Sequence, residues 1–156
     1  MKNTKLKLKA AVSTIMTTEL TTVREETSYA ALKDLFNRYS MRHILMENKE
    51  GELLGIISTE DLTKSRHFLG LEDKLEARHI MTPKPVSVEF DTPIRKVIEL
   101  FLDATAVTIN KNATTIRKVI ELFLDNRFRA VPVVNEDNVL VGIVTAFDIL
   151  HEFVEG

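Results

Sequence analysis

Gly142-Ile143-Val144-Thr145-Ala146-Phe147-Asp148 restates, at an offset of 87, the chain's own Gly55-Ile56-Ile57-Ser58-Thr59-Glu60-Asp61. Each run reads as a β-branched strand passing straight into a helix, with a hydroxyl at the helix start and an acid three residues on. Further out, Ile15-Met16-Thr17 returns as Ile80-Met81-Thr82, an offset of 65. The chain is therefore two tandem copies of one plan, the second longer by the difference, 22 residues. That surplus is itself a duplication. Ile94-Arg95-Lys96-Val97-Ile98-Glu99-Leu100-Phe101-Leu102-Asp103 recurs unchanged at 116–125, again 22 residues on. With one copy taken out, Leu35-Phe36 falls on Leu100-Phe101, Arg42-His43-Ile44-Leu45 on Arg129-Ala130-Val131-Pro132, and Leu53-Leu54-Gly55 on Leu140-Val141-Gly142.

Within a half the pattern runs short strand, helix, strand, strand, helix. Val86-Ser87-Val88 alternates like a strand, and Thr92-Pro93 reads as an N-cap followed by proline at the first helical position. Ile94, Val97, Ile98, Phe101 and Leu102 then share one helix face, while Arg95, Lys96, Glu99 and Asp103 point away from it. Residues 130–134 and 139–144 are apolar strands around the polar turn Asn135-Glu136-Asp137-Asn138, and residues 147–154 read as a closing helix. The first half turns its hairpin at Asn48-Lys49-Glu50-Gly51. The predicted architecture is α+β: a basic tail over 1–11, a β-α-β-β-α repeat over 12–64, a connection over 65–77, and a second repeat over 78–156 carrying the surplus at about 104–125. A repeat of about 50–60 residues is at the low end of what folds alone, so the two are expected to pack as a pair.

The second repeat has room for one copy of the duplicated helix. Asp125 leads through 126–129 into the second strand, much as Arg38 leads through Tyr39-Ser40-Met41-Arg42 in the first half. This short connection predicts the later copy, 116–125, in the core and the earlier copy displaced. The preceding strand stays open between Val86-Ser87-Val88 and Val107-Thr108-Ile109.

Composition excludes several function classes. At 44% hydrophobic and 28% charged residues, the 156-residue chain has the balance of a globular protein. A net charge of −2 supplies no field for nucleic acid or an anionic membrane. Lys2, Lys5, Lys7 and Lys9 read as a solvated strip, and no apolar stretch approaches the ~20 residues of a membrane span. With no cysteine there is no disulfide, thiolate nucleophile or cysteine-based zinc site, which fits a reducing, cytoplasmic setting. His43, His67, His79 and His151 form no i, i+4 pair and no HExxH context, and neither a GxxxxGK[ST] loop nor a GxSxG elbow occurs. Neither a metal site nor catalysis is expected.

The repeated Gly-x-x-Ser/Thr-x-x-Asp run supports two readings. Gly55 and Gly142 let the backbone pass close to a neighbour or ligand. A helix start attracts anions, a hydroxyl at Ser58 or Thr145 can donate to a phosphate, and Asp61 or Asp148 offers acceptors for a ribose diol. Equally, Ser/Thr-x-x-Asp is a capping box that serves helix stability alone.

The doubled element order resembles the CBS-domain family, and the pair resembles a Bateman module. The resemblance covers 12–64 and 78–154. Its marks are the Ile-Met-Thr lead-ins, the Arg-Ala-Val-Pro-Val-Val strand at 129–134, and the Gly-x-x-Ser/Thr-x-x-Asp runs. It implies that Asp meets a ribose and Ser/Thr the phosphates of an adenosine nucleotide, while adenine meets the first and second strands. By position the first half would supply Thr21, Thr22, Val23 and Ile44 with Ser58 and Asp61. The second half would supply Val86, Ser87, Val88 and Val131 with Thr145 and Asp148. Arg42 and Arg129, at matching positions, are phosphate contacts or solvated arginines. His43-Ile44-Leu45-Met46 stands where the second half has Ala130-Val131-Pro132-Val133, so the first site has the bulkier wall. The implied function is a non-catalytic regulatory module that senses AMP, ADP or ATP, with S-adenosylmethionine or NAD as second choices. It would signal to a partner protein that the sequence does not name, and would form a homodimer through its amphipathic helices. The alternative is a ligand-free assembly module, a homodimeric scaffold.

Overall fold

The computed structural model describes residues 8–68, 70–102 and 130–155, which form two compact units. One, the Ser58 unit, comprises residues 19–86 with the turn segment 134–140. The other, the Thr145 unit, comprises the amino-terminal segment through Thr18, residues from Ser87 through Val133, and residues from Val141 on. The units group residues differently from the tandem repeats. The Ile-Met-Thr lead-in of the first repeat packs in the Thr145 unit, and that of the second repeat in the Ser58 unit.

In the Ser58 unit, β1 (Thr22–Val23), β2 (His43–Glu47), β3 (Leu53–Ser58) and β4 (Thr82–Pro83) form one sheet in that order. β1 runs parallel to β2, and the other pairs are antiparallel. Helix α1 (Tyr29–Tyr39) starts at Ser28, whose Oγ accepts the Ala31 N–H at 3.2 Å, and stops at Ser40 in the left-handed region. Helices α2 (Thr59–Ser65) and α3 (Ala77–Ile80) follow. Ile44, Leu45 and Met46 are buried in succession, whereas β3 alternates, with Leu53, Gly55 and Ile57 inward. The core is Val23, Leu32, Phe36, Ile44, Met46, Ile57 and Ala77.

Both hairpin turns use one device. Asn48 Oδ1 accepts the N–H groups of Glu50 and Glu52, and Asn135 Oδ1 those of Asp137 and Val139. Gly51 at φ +82° and Asn138 at φ +60° then take the left-handed position that a side-chain-free or short polar residue tolerates. Within the Ser58 unit the segment 134–140 pairs with the first hairpin through Leu53 N–H to Asn138 O (3.1 Å) and Leu140 N–H to Gly51 O (2.9 Å).

The second sheet is β5 (Val88–Glu89), β6 (Ala130–Val134) and β7 (Leu140–Thr145) in that order, all but Val134 and Leu140 in the Thr145 unit, which also holds α4 (Ile94–Leu102) and α5 (Ala146–Glu155). The core of this unit is Val12, Ile94, Val97, Ile98, Phe101, Val131, Val133, Val144 and Ile149. The earlier copy of the duplicated helix therefore fills the core, contrary to the sequence expectation; the later copy, 116–125, lies outside the described residues. The reason is the amino-terminal strap. Ile94 and Arg95 donate their N–H groups to Ala10 O and Leu8 O, and Val12 and Ser13 donate to Thr92 O and Phe90 O. These bonds seat the start of α4, and they come from a segment about 80 residues away in sequence, which the lengths of the neighbouring connections do not reveal. The strand before α4 is Val88–Glu89; the competing Val107-Thr108-Ile109 and the basic residues Lys2, Lys5 and Lys7 also lie outside the described residues.

Each lead-in methionine lies against a glycine. A Cβ on Gly55 would stand 2.5 Å from Met81 Sδ and 3.0 Å from Thr82 O, and one on Gly142 would stand 2.5 Å from Met16 Sδ and 3.1 Å from Thr17 O. Methionine can yield, but the carbonyls are tied into β4 and into the Thr17 to Ile143 bridge. Gly55→Ala and Gly142→Ala are each expected to cost about 1–3 kcal/mol by overpacking. Urea titration of each variant measures this, and parent-like midpoints would contradict it.

Candidate functional site

Ser58 closes β3 in extended conformation opposite His43 of β2, and its side chain caps α2. Asp61 Oδ2 accepts both the Ser58 N–H (2.7 Å) and the Ser58 hydroxyl (2.8 Å), while the Asp61 N–H donates back to Ser58 Oγ at 3.2 Å. The Thr145 unit repeats the arrangement. Asp148 Oδ2 accepts the Thr145 N–H (2.7 Å) and hydroxyl (2.9 Å), and the Asp148 N–H reaches Thr145 Oγ1 at 3.3 Å. Both capping boxes are thus complete. In each, Oδ2 is committed to the cap, while Oδ1 has no hydrogen-bond partner among the described residues. All four side chains are half-buried. The arrangement fixes one carboxylate per unit beside a helix start, and among the described residues its second oxygen is placed to accept from a ligand hydroxyl.

The sheets bring most of the other expected residues alongside. In the Ser58 unit, Thr22 and Val23 on β1 pair in register with Leu45 and Met46, one position beyond Ile44 on β2. Ile44 is fully buried and Val23 6% exposed, so both act as wall, while Thr21 and Thr22 are half-buried. In the Thr145 unit, Val88 on β5 neighbours β6, where Val131 is fully buried, and half-buried Ser87 precedes it. Val86, 49% exposed, is the last residue of its segment of the Ser58 unit and directly precedes Ser87 in the chain. Arg42 is exposed and its carbonyl accepts the Thr59 N–H at 3.1 Å; Arg129 lies outside the described residues.

The sequence argument missed a polar cluster on β1. Thr22 Oγ1 donates to Glu47 Oε1 at 2.8 Å, and Arg24 reaches the same carboxylate at 3.8 Å while donating to the Glu47 and Asn48 carbonyls. At the offset of 87 Glu47 falls on Val134, so internal repetition gives no signal for the cluster. Phe147, between Thr145 and Asp148 in sequence, is 73% exposed, with its ring 6.2 Å from that of His151. A groove of about 580 Å³ in the Thr145 unit is lined by Val88, Asp91, Thr92, Pro93, Lys96, Glu99 and Leu100. Of the residues expected to meet a ligand it includes Val88 alone, so the site rests on the carboxylate geometry and not on this groove. Among the described residues, no cluster of three or more histidines, cysteines or acids could hold a metal, and no helix is long and apolar enough to cross a membrane.

Comparison with known proteins adds the following. The family model for the CBS domain matches residues 12–67, 77–107 and 104–155, the last two meeting inside the duplication. CBSX2 from Arabidopsis thaliana, a CBS-pair protein, is 20% identical over 94% of this chain and 95% of its own, with a TM-score of 0.70. CBSX2 in complex with AMP gives 22%, 94%, 97% and 0.71. The CBS domain pair of MJ0100, in complex with 5′-methylthioadenosine and S-adenosyl-L-methionine, is 22% identical over 92% of this chain and 95% of its own, with a TM-score of 0.66. The cytosolic domain of the Mg2+ channel MgtE, in complex with ATP, is 26% identical over 92% of this chain and 48% of its own, with a TM-score of 0.67. No curated protein sequence matches the chain.

Proposed function

The chain belongs to the CBS-domain family, and on that footing we propose that it is a non-catalytic regulatory module that senses adenosine nucleotides. One observation carries this reading: in both units an aspartate is fixed by its helix cap through Oδ2, and its Oδ1 has no hydrogen-bond partner among the described residues. The ligands named for the neighbouring structures, AMP, 5′-methylthioadenosine, S-adenosylmethionine and ATP, share adenosine and differ in what hangs from its 5′ carbon. Their common polar handle is the ribose diol, which Asp61 Oδ1 or Asp148 Oδ1 would accept. Ser58 and Thr145 would meet phosphates. Thr21, Thr22, Val23 and Ile44, with Val86, Ser87, Val88 and Val131, would border adenine. AMP, ADP or ATP is the proposed ligand, ahead of S-adenosylmethionine or NAD. A difference in its affinity between two conformations is what a partner protein would read. The proposal includes a cytoplasmic homodimer.

The second reading, a ligand-free homodimeric scaffold, is favoured by the completeness of the caps, which account for both residues of each motif without a ligand. A thermal-shift series with AMP, ADP, ATP, NAD and S-adenosylmethionine separates the two. At ~100 times its dissociation constant a ligand adds about 2.7 kcal/mol, which moves the midpoint of a protein this size by roughly 5–10 °C. Light scattering on the same samples reports the mass. If no compound shifts the midpoint at millimolar concentration, the scaffold reading replaces the sensor.

A further inference from the structure

The polar cluster on β1 has no counterpart in the second repeat. Thr22 Oγ1 donates to Glu47 Oε1 at 2.8 Å, and Arg24 donates to Glu47 O at 3.1 Å and to Asn48 O while its guanidinium lies 3.8 Å from Glu47 Oε1. These bonds clamp β1, an edge strand of two residues, along the end of β2. At the offsets of the repeats, 65 for the first strand and 87 for the hairpin, the three positions read Ser87, Glu89 and Val134. A valine side chain accepts no hydrogen bond and an ionised glutamate donates none, so these residues build no such clamp on β5.

The clamp stands away from the capped aspartate. Glu47 ends β2, whereas His43, opposite Ser58, begins it. At roughly 3.3 Å per residue the two are about 13 Å apart along the strand. Glu47 is thus placed to act through β1 rather than on a phosphate beside Ser58. Apart from the clamp, β1 is held by its short parallel pairing with β2 and by Val23 in the core.

We infer that the clamp preorganises β1 and makes the Ser58 unit the tighter of two adenosine-nucleotide sites, with Glu47 and Arg24 as positioning residues; this rests on nucleotide binding as proposed for the chain. A ligand that meets a wall already in place loses none of its binding free energy to ordering that wall. Where the competent form is only about a tenth populated, apparent affinity falls about tenfold. A difference of that size is expected between the units.

Calorimetric titration well below the unfolding midpoint tests it, using whichever of AMP, ADP, ATP, NAD and S-adenosylmethionine binds the parent most tightly. Asp148→Ala leaves the Ser58 unit to be read and Asp61→Ala leaves the Thr145 unit, and the first variant is expected to bind about tenfold more tightly than the second. Adding Glu47→Val, the residue that β6 carries at this position, should weaken binding about tenfold in the Asp148→Ala protein and leave it unchanged in the Asp61→Ala protein. A general loss of stability does not divide by site in this way. Glu47→Gln, whose amide oxygen still accepts from Thr22, should recover much of the affinity. Should Glu47→Val fail to fold, Arg24→Ala at the surface must weaken the Ser58 unit alone. Equal affinities in the two aspartate variants overturn the inference while nucleotide sensing stands, and so does a clamp variant that affects both units or neither. If none of the five compounds binds the parent, both fail together.

Discussion

Val12→Asp is expected to unfold the Thr145 unit and leave the Ser58 unit folded, although Val12 opens the first repeat. The side chain is fully buried among Ile94, Val97, Ile98, Phe101, Val131, Val133, Val144 and Ile149, and its own N–H bonds Thr92 O at 2.7 Å. A carboxyl group there must stay neutral and unpaired or carry an unsolvated charge. Even the neutral polar group costs roughly 2–7 kcal/mol, against a stability of about 5–15 kcal/mol for a whole domain. Amide exchange reads the result by residue: Val131, Val133 and Val144 should lose protection, and Ile44 and Ile57 should keep it. Loss confined to Ile44 and Ile57, the pattern expected if the first repeat folded as its own unit, would contradict the assignment of the strap.

Replacing Asp61 and Asp148 with Ala should weaken adenosine-nucleotide binding roughly 10- to 150-fold at whichever site is used, through loss of a charge-assisted hydrogen bond of about 1.5–3 kcal/mol. The same change removes the Oδ2 that accepts the Ser58 or Thr145 N–H and hydroxyl. It therefore also costs about 0.5–2 kcal/mol of cap stability. The two effects separate by method. Calorimetric titration well below the unfolding midpoint reads affinity, and denaturant titration without ligand reads the cap. If one unit does the binding, only one single variant changes affinity while both lose stability. Undiminished binding in the double variant would remove the aspartates from the site, leaving them as helix caps.

Much of the local structure was legible because it depends on residues a few positions apart. Ser58-x-x-Asp61 and Thr145-x-x-Asp148 are capping boxes by sequence and by hydrogen bond, since donor and acceptor sit on one helix turn. The turns at Asn48 and Asn135 follow from an asparagine reaching its own backbone two and four residues on. The buried face of α4 was readable from helical period alone, and the tandem plan and the family followed from internal repetition.

Pairings across long separations in sequence were not legible. Nothing in Ile15-Met16-Thr17 announces that Thr17 bridges Ile143, or that Met16 explains why residue 142 is a glycine. The Thr22, Arg24 and Glu47 cluster forms only because β1 lies parallel to β2. For the duplicated helix the sequence by itself determined which side chains face the core, because ten identical residues have one apolar face. Which copy sits there was decided by the fold. Ten identical side chains cannot choose between their two positions in the sequence, so the choice lies outside the decapeptide, in the backbone hydrogen bonds that tie the start of α4 to the strap, and a carbonyl or an N–H carries no mark of its partner in the sequence.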